Sequence, residues 1–256
     1  TGPPRGPMRQ REPSPLTLYA LILEGNLLLA LFGTVASLLR GPAVAGRRTY
    51  ALLSFAGALW CAGALLAERG FVEAWMGLRM SLLGVVLGAP LWLGLAAPLA
   101  RLPVSHRLPW FPAALAAPGL LLWLLLFFDP WSAAVMPEPN LPGPLWWAFT
   151  PYAYGLILAG SAVHVWSGVQ RRGPHGRQTI AIGAAGLAPL AAHASWMWLG
   201  FPDGADPAPL LLTPVGIALA ATLFPGGLLD LRPLAQRELI HHLPLGVVMA
   251  DRSGTV

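Results

Sequence analysis

Long apolar blocks dominate this sequence, and short stretches rich in proline, glycine and arginine separate them. Each block holds about 19 to 27 residues, and ~20 apolar residues in a helix cross the ~30 Å hydrocarbon core of a bilayer. The pattern therefore predicts an all-α membrane protein, a bundle of seven transmembrane helices. The predicted helices cover residues 16–39, 49–67, 74–100, 109–128, 145–169, 178–199 and 208–226.

Composition supports the bilayer as the solvent. Hydrophobic residues make up 55% of the 256 residues and charged residues only 11%, against roughly 25% charged in a soluble domain. The net charge of +5 does not indicate a nucleic-acid partner, because the arginines lie in short loops instead of on one helix face. Cys61 is the single cysteine, so the chain can form neither an internal disulfide nor a cysteine-based metal site, and no cofactor is predicted.

The arginines also predict the orientation. The first, third and fifth loops of the predicted bundle carry eight arginines, whereas the second, fourth and sixth carry only Arg69. Arginine-rich loops stay in the cytoplasm, so the N-terminus is expected outside and the C-terminus inside. The proline-rich residues 1–15 are expected to be a disordered external segment, although they hold three arginines.

Polar side chains inside the predicted spans are functional candidates, because an ionisable group there costs roughly 2.5 to 3.5 kcal/mol on insertion scales. Counting ~1.5 Å per residue from the helix ends places one set in the outer half of the bundle. It comprises Glu24, Asn26, Arg79, Tyr152, Tyr154, His193 and Thr213. Two interpretations stay open: Glu24 and Arg79 form a structural ion pair while the other groups satisfy each other, or the set lines an outward-facing ligand pocket.

Other residues within the spans predict packing and bending. His164 lies roughly 13 Å from the level of His193 by the same count, so the two are not expected to share a haem or a metal. Pro90, Pro189 and Pro214 are expected to kink their helices. Glycines are expected to allow close helix approach. They are Gly57, Gly63, Gly84, Gly88, Gly155, Gly160, Gly183 and Gly186.

The end of the chain has the pattern of a cytoplasmic exit. After Leu228-Leu229-Asp230-Leu231-Arg232-Pro233, the pattern of residues 234–243 predicts a short amphipathic helix. Residues 247–250 read as a strand, residues 251–254 as a turn and residues 255–256 as the start of a second strand. An α/β domain is therefore predicted to begin within residues 228–256, and the chain is expected to be a fragment that ends inside it.

The order of several segments resembles the N-terminal seven-helix sensor region of bacterial histidine kinases, joined to a PAS domain. The resemblance spans about residues 16–256, and residues 238–240 (ELI) and 243–254 (LPLGVVMADRSG) are similar to the opening of a PAS domain. The segments in the bundle are 79–84 (RMSLLG), 89–93 (APLWL), 143–147 (GPLWW), 152–154 (YAY), 177–178 (RQ), Pro189, 212–214 (LTP) and 228–233 (LLDLRP).

The resemblance implies a non-catalytic sensor region of a homodimeric histidine kinase in the bacterial cytoplasmic membrane. An external or membrane-derived stimulus, such as a small molecule, would act on the bundle, and the seventh helix would pass the signal to the PAS domain. Pro214, Asp230, Arg232 and Pro233 are the candidate transmission residues. The sequence departs from the family at Leu82, His193 and Leu211, which implies either a different stimulus or a purely structural site.

Other classes of membrane protein are alternatives. The same region could serve a diguanylate cyclase, or the chain could be a small polytopic transporter, although internal repeats and paired broken helices are not visible. An intramembrane enzyme is the third, since Ser161 and His164 share a helix face, but no oxyanion arrangement is legible. A retinal protein is excluded, because the chain has no lysine for a Schiff base.

Overall fold

A computed structural model describes residues 15–39, 46–100, 102, 110–128, 131–138, 141–171, 173–199 and 206–223. Eight α-helices lie within these ranges, and a short 3₁₀-helix, Ala208–Leu211, leads directly into the last of them. The helices are α1 (Pro15–Leu39), α2 (Arg47–Glu68), α3 (Ala74–Leu99), α4 (Phe111–Leu125), α5 (Trp131–Val135), α6 (Pro144–Gln170), α7 (Pro174–Leu199) and α8 (Leu212–Leu223). The predicted linker and PAS start, with Asp230, Arg232 and Pro233, lie outside the described residues, as do residues 1–14.

The chain is a helical membrane protein. In the described part, α1, α2, α3 and α7 contain the four segments that are long and apolar enough to cross a bilayer. Helix α6 has the necessary length, at 27 residues, but tryptophan, tyrosine and threonine near its start lower its mean hydropathy. The apolar helix Phe111–Leu125 and the apolar stretch Ala208–Leu219 are shorter. The count of seven spans therefore stays a prediction.

Six helices form a ring. Helices α1, α2, α3, α6, α7 and α8 are neighbours in this order, and α8 packs back against α1. Helix α4 lies outside the ring against α3 and α6. Helix α3 therefore has neighbours on three sides, α2, α4 and α6. Of its most apolar segment 61% is buried, against 22% for the corresponding segments of α1 and α7. Outward-facing side chains on α1 are apolar and more than half exposed, as lipid contact requires: Leu21, Leu28, Phe32 and Val35.

Glycines allow the helices of the ring to approach closely. A Cβ on Gly63 of α2 would lie 2.5 Å from the carbonyl oxygen of Gly77 on α3, and one on Gly84 would clash with the backbone of Ala56. The indole of Trp92 on α3 occupies a slot between Gly160 of α6 and Gly186 of α7, which a Cβ at either position would close.

The expected role of the glycines is thus confirmed for Gly63, Gly84, Gly160, Gly183 and Gly186, where a Cβ would meet a neighbouring helix at 3.0 Å or less. A Cβ on Gly57 would make an ordinary contact at 3.9 Å. The expectation is wrong for Gly88 and Gly155, since a Cβ on either would meet nothing within 4 Å.

The expected kink at Pro214 is wrong. The predicted helix over residues 208–226 begins as the 3₁₀-helix Ala208–Leu211, and α8 starts at Leu212. Pro214 therefore stands in the first turn of α8, where its missing N–H removes no interior bond of the α-helix.

Charge differs between the two ends of the bundle. One end, called the basic end, carries Arg47, Arg48, Arg171 and Arg177 at the start of α2, the end of α6 and the start of α7. The opposite end, called the acidic end, carries Glu68, Glu73, Glu138 and Asp206, together with Arg69. This asymmetry is the one from which the orientation was predicted.

Candidate functional site

The six-helix ring encloses a cavity of ≈ 160 Å³, called the central cavity. Each of the six helices contributes to its lining, which is mostly aromatic and aliphatic, with Trp92, Phe149 and Ile157 on two walls. Residues with polar groups in its lining are Asn26, Tyr50, Ser54, Thr150, Tyr154, His193 and the tryptophans Trp60, Trp92 and Trp146. The described lining contains no aspartate, glutamate, lysine or arginine.

A second cavity of ≈ 320 Å³, called the outer cavity, lies towards the acidic end. It is more polar, because Tyr19, Glu68, Ser81 and Asp206 take part in its lining. The two cavities share four lining residues, which we call the neck: Trp60, Val85, Trp146 and His193. Together their volumes fall within the ~300–1,000 Å³ of small-molecule sites.

His193 is held at the neck from two sides. Its Nδ1 lies 3.1 Å from Oδ2 of Asp206, and its ring stacks on Trp196 with centroids 5.6 Å apart. The ring of Tyr154 meets it edge-on at 6.1 Å. Because a carboxylate only accepts, Nδ1 donates, and in the neutral ring Nε2 then carries the lone pair.

Asp206 connects α7 to the start of the last helix. Its Oδ1 accepts a hydrogen bond from the backbone N–H of Ala208 at 2.9 Å, so it caps the 3₁₀-helix. Its backbone carbonyl accepts a hydrogen bond from the Tyr19 hydroxyl of α1 at 3.1 Å. Sequence reasoning missed Asp206, Tyr19 and Trp196 as members of the site. An aspartate followed by Pro207 is a helix-start signal that could have identified Asp206.

Asn26 and Thr213, both predicted site residues, bind each other and join α1 to α8. Asn26 is 3% exposed, and its Nδ2 donates to the carbonyls of Pro209 at 2.8 Å and Leu210 at 3.3 Å. Its Oδ1 accepts a hydrogen bond from the Thr213 hydroxyl. Pro214 cannot donate to the Leu210 carbonyl four residues before it, and the Asn26 amide supplies the missing donor.

Arg79 and Tyr152 have the predicted depth but point out of the ring towards α4. Arg79 Nη2 donates to the Leu126 carbonyl at 3.1 Å, and its guanidinium lies 4.6 Å from the Phe127 ring centroid. The Tyr152 hydroxyl donates to the Leu115 carbonyl at 2.7 Å. Neither residue is among the described lining of either cavity.

The ion pair suggested between Glu24 and Arg79 is wrong. Glu24 pairs with Arg69 just beyond the end of α2, and both side chains are about 40% exposed. Helix α2 stands between α1 and α3 in the ring, and Arg79 is directed to α4. Depth along a helix was predictable, whereas the direction of a side chain around its helix was not.

Two buried polar atoms at the central cavity lack a hydrogen-bond partner among the described residues. They are Nε1 of Trp146, whose side chain is 3% exposed, and the hydroxyl of Tyr154. Both residues line the central cavity, and Trp146 also belongs to the neck. Buried polar groups in proteins are nearly always paired, so these two need an explanation such as a bound water or ligand.

Ser161 and His164 do not form a nucleophile–base pair. The Ser161 hydroxyl oxygen accepts a hydrogen bond from Trp92 Nε1 at 3.1 Å. His164 packs against Trp92 with ring centroids 5.1 Å apart, and neither of its ring nitrogens has a partner among the residues with described positions. The arrangement gives no support to an intramembrane hydrolase.

Comparison with known proteins adds one finding. A family model described as the N-terminal 7TM region of histidine kinase matches residues 23–233. The match reaches every helix that lines the central cavity, and it confirms the resemblance to the seven-helix region. It does not extend over residues 238–254, so the PAS start stays a prediction. No curated protein and no solved structure matches the chain.

Proposed function

Because the chain belongs to the family of N-terminal 7TM regions of histidine kinases, we propose that it binds the kinase's stimulus in the central cavity. The observation that carries this proposal is that Trp146 and Tyr154, which line a mostly apolar cavity, each hold a buried polar atom without a partner among the described residues. Of the seven residues predicted for the site, Asn26, Tyr154 and His193 line this cavity. The described lining does not include the other four, which are Glu24, Arg79, Tyr152 and Thr213.

The last helix is the proposed route of the signal. Leu212, Val215, Gly216 and Leu219 of α8 line the central cavity, so a bound molecule touches the helix that leads to the C-terminal part. A ligand shifts a conformational equilibrium only if it binds the two arrangements unequally. Contact with α8 makes such a difference possible, because any displacement of α8 changes the cavity wall.

The outer end of α8 is fastened by Asn26 and, through the 3₁₀-helix, by Asp206. We therefore expect displacement at its other end, where the chain continues through Asp230, Arg232 and Pro233 towards the proposed PAS domain, whereas Pro214 lies at the fastened end. The basic end is expected in the cytoplasm of a bacterial cell and the acidic end outside. The stimulus is then external or comes from the bilayer, and the kinase is expected to act as a homodimer.

Filling the cavity tests this function. Gly88 on α3 lines the central cavity, and a Cβ there meets nothing within 4 Å. Gly155 on α6 offers a matched control, because it is exposed and a Cβ there also meets nothing within 4 Å. A Cβ at either position meets no neighbouring atom, but only Gly88 lines the cavity that its leucine is meant to fill.

The kinase that carries this region is reconstituted in lipid, and stimulus-dependent autophosphorylation is measured for both variants. We expect Gly88→Leu to lose the response while its helical circular dichroism and thermal midpoint match those of Gly155→Leu. Gly155→Leu should respond like the parent. An equal response from the two variants would refute the central cavity as the stimulus site.

A further inference from the structure

The charges around the two cavities restrict what the central cavity can bind. Its described lining has no aspartate, glutamate, lysine or arginine, and its one histidine, His193, is paired with Asp206. Of the charged groups nearby, Glu24 binds Arg69, and Asp206 binds His193 and the first N–H of the 3₁₀-helix, while Glu68 lines only the outer cavity. An ion placed among these apolar walls would lose its hydration without gaining an opposite charge, which is strongly unfavourable. The molecule that fits is therefore uncharged.

The unpartnered polar groups of Trp146 and Tyr154 suit a hydroxyl or carbonyl group of a ligand. Trp146 Nε1–H can only donate, and the Tyr154 hydroxyl can donate or accept. His193 and Trp146 belong to the neck, and the Tyr154 ring touches the His193 ring. A ligand hydroxyl can accept from Trp146 Nε1–H or donate to the Tyr154 oxygen, and a ligand carbonyl can accept from either group.

The volume limits the apolar part of the molecule. The central cavity measures ≈ 160 Å³, and an engineered apolar cavity of about 150 Å³ in another protein binds benzene. An apolar body of about one aromatic ring, or a short branched chain, therefore fills the central cavity. The outer cavity, which shares the four neck residues, offers space for a longer substituent.

We propose that the ligand class of the central cavity is a small neutral amphiphile, with an apolar body and a hydroxyl or carbonyl group that hydrogen-bonds to Trp146 and Tyr154. This inference rests on the proposed function, because it takes the central cavity as the stimulus site. It adds the chemistry of the ligand and the atoms that recognise it.

Four probes of one size test the inference: benzyl alcohol, toluene, benzylammonium and benzoate. Each is titrated into the 256-residue chain in lipid nanodiscs, and binding is followed by ligand-detected NMR. Gly88→Leu nanodiscs provide the correction for partition into lipid. We expect benzyl alcohol to bind about three- to tenfold more tightly than toluene, as one or two neutral hydrogen bonds allow. Both charged probes should bind more weakly than toluene.

Two variants assign the polar contact. Trp146→Phe and Tyr154→Phe keep an aromatic ring and remove one hydrogen-bonding group each. In either variant toluene binding should persist, while the ratio of benzyl alcohol to toluene affinity falls towards one. Tyr154→Phe, which removes only a hydroxyl, keeps the test valid if the tryptophan variant does not fold.

The outcomes separate this inference from the proposed function. Tighter binding of benzylammonium or benzoate than of benzyl alcohol would overturn the neutral ligand class, and so would equal affinity for benzyl alcohol and toluene. The proposed function would still stand in those cases if Gly88→Leu abolished signalling. If no probe distinguished the parent from Gly88→Leu and that variant also signalled normally, both would fail.

Discussion

The amide of Asn26 fastens the last helix to the first, and its removal tests how α8 is held. Asn26→Leu keeps a side chain of similar length and removes three hydrogen bonds, to Pro209, Leu210 and Thr213. Polar contacts between membrane helices average ~0.6 kcal/mol, with a maximum near ~1.7 kcal/mol. A buried carbonyl that loses its donor costs about 1–3 kcal/mol.

The Leu210 carbonyl is such a case, because Pro214 has no N–H to replace the lost donor. Adding this cost to that of the other two contacts gives an expected loss of about 2–4 kcal/mol for Asn26→Leu. Thr213→Val removes one of the three bonds and should cost about 0.5–1.7 kcal/mol. The two losses should not add, since the bond to Thr213 is common to both variants.

Unfolding in mixed micelles with increasing mole fractions of dodecyl sulfate, followed by circular dichroism, measures these differences. Thr34→Val on the same helix is the control, because the Thr34 hydroxyl donates only to the Ala30 carbonyl of its own helix at 2.9 Å. It should change stability by less than about 0.5 kcal/mol. Equal stability of Asn26→Leu and Thr34→Val would refute the anchoring of α8 by the amide.

Two further predictions concern the packing of the bundle. Gly186→Ala places a methyl group against the Trp92 indole and should cost about 1–3 kcal/mol of stability. In the same unfolding assay, the double variant with Trp92→Phe should recover part of that loss. Strictly additive effects would contradict the packing of Trp92 against Gly186. Arg79→Leu removes the donor to the carbonyl at the end of α4. It should destabilise the bundle more than Arg69→Leu, because the exposed ion pair of Arg69 with Glu24 is worth at most ~1 kcal/mol. A lower thermal midpoint for Arg69→Leu than for Arg79→Leu would contradict this.

The depth of polar residues could be predicted from the sequence, because the rise of a helix is fixed. The level predicted for Asn26 and Thr213 is the level at which they bind each other, and Tyr154 meets His193 in the same layer. The direction of a side chain depends on how each helix is rotated in the bundle, which one sequence does not reveal. The suggested pairing of Arg79 with Glu24 is wrong for this reason.

Glycines show the same limit. Gly84 and Gly88 lie one helical turn apart in α3 and look alike in the sequence, yet Gly84 packs against α2 and Gly88 borders open space in the central cavity. Only the position of the neighbouring helices distinguishes a packing glycine from one that leaves room for a ligand. Asp206 is a related case, since its helix-start signal does not reveal that its side chain reaches His193.

The anchoring of α8 decides what kind of movement a bound molecule can cause. The helix is held at its outer end by Asn26 and by the 3₁₀-helix that Asp206 caps, and Gly216 packs against Leu29 further along. A sliding movement along the axis would break the outer bonds, whereas a tilt about the outer end would keep them. Over the ~18 Å of its 12 residues, a tilt of about 5° moves the far end by roughly 1.5 Å. Shifts of about this size at helix interfaces are enough to switch packed assemblies between states, so tilting, and not sliding, is the movement that this arrangement favours.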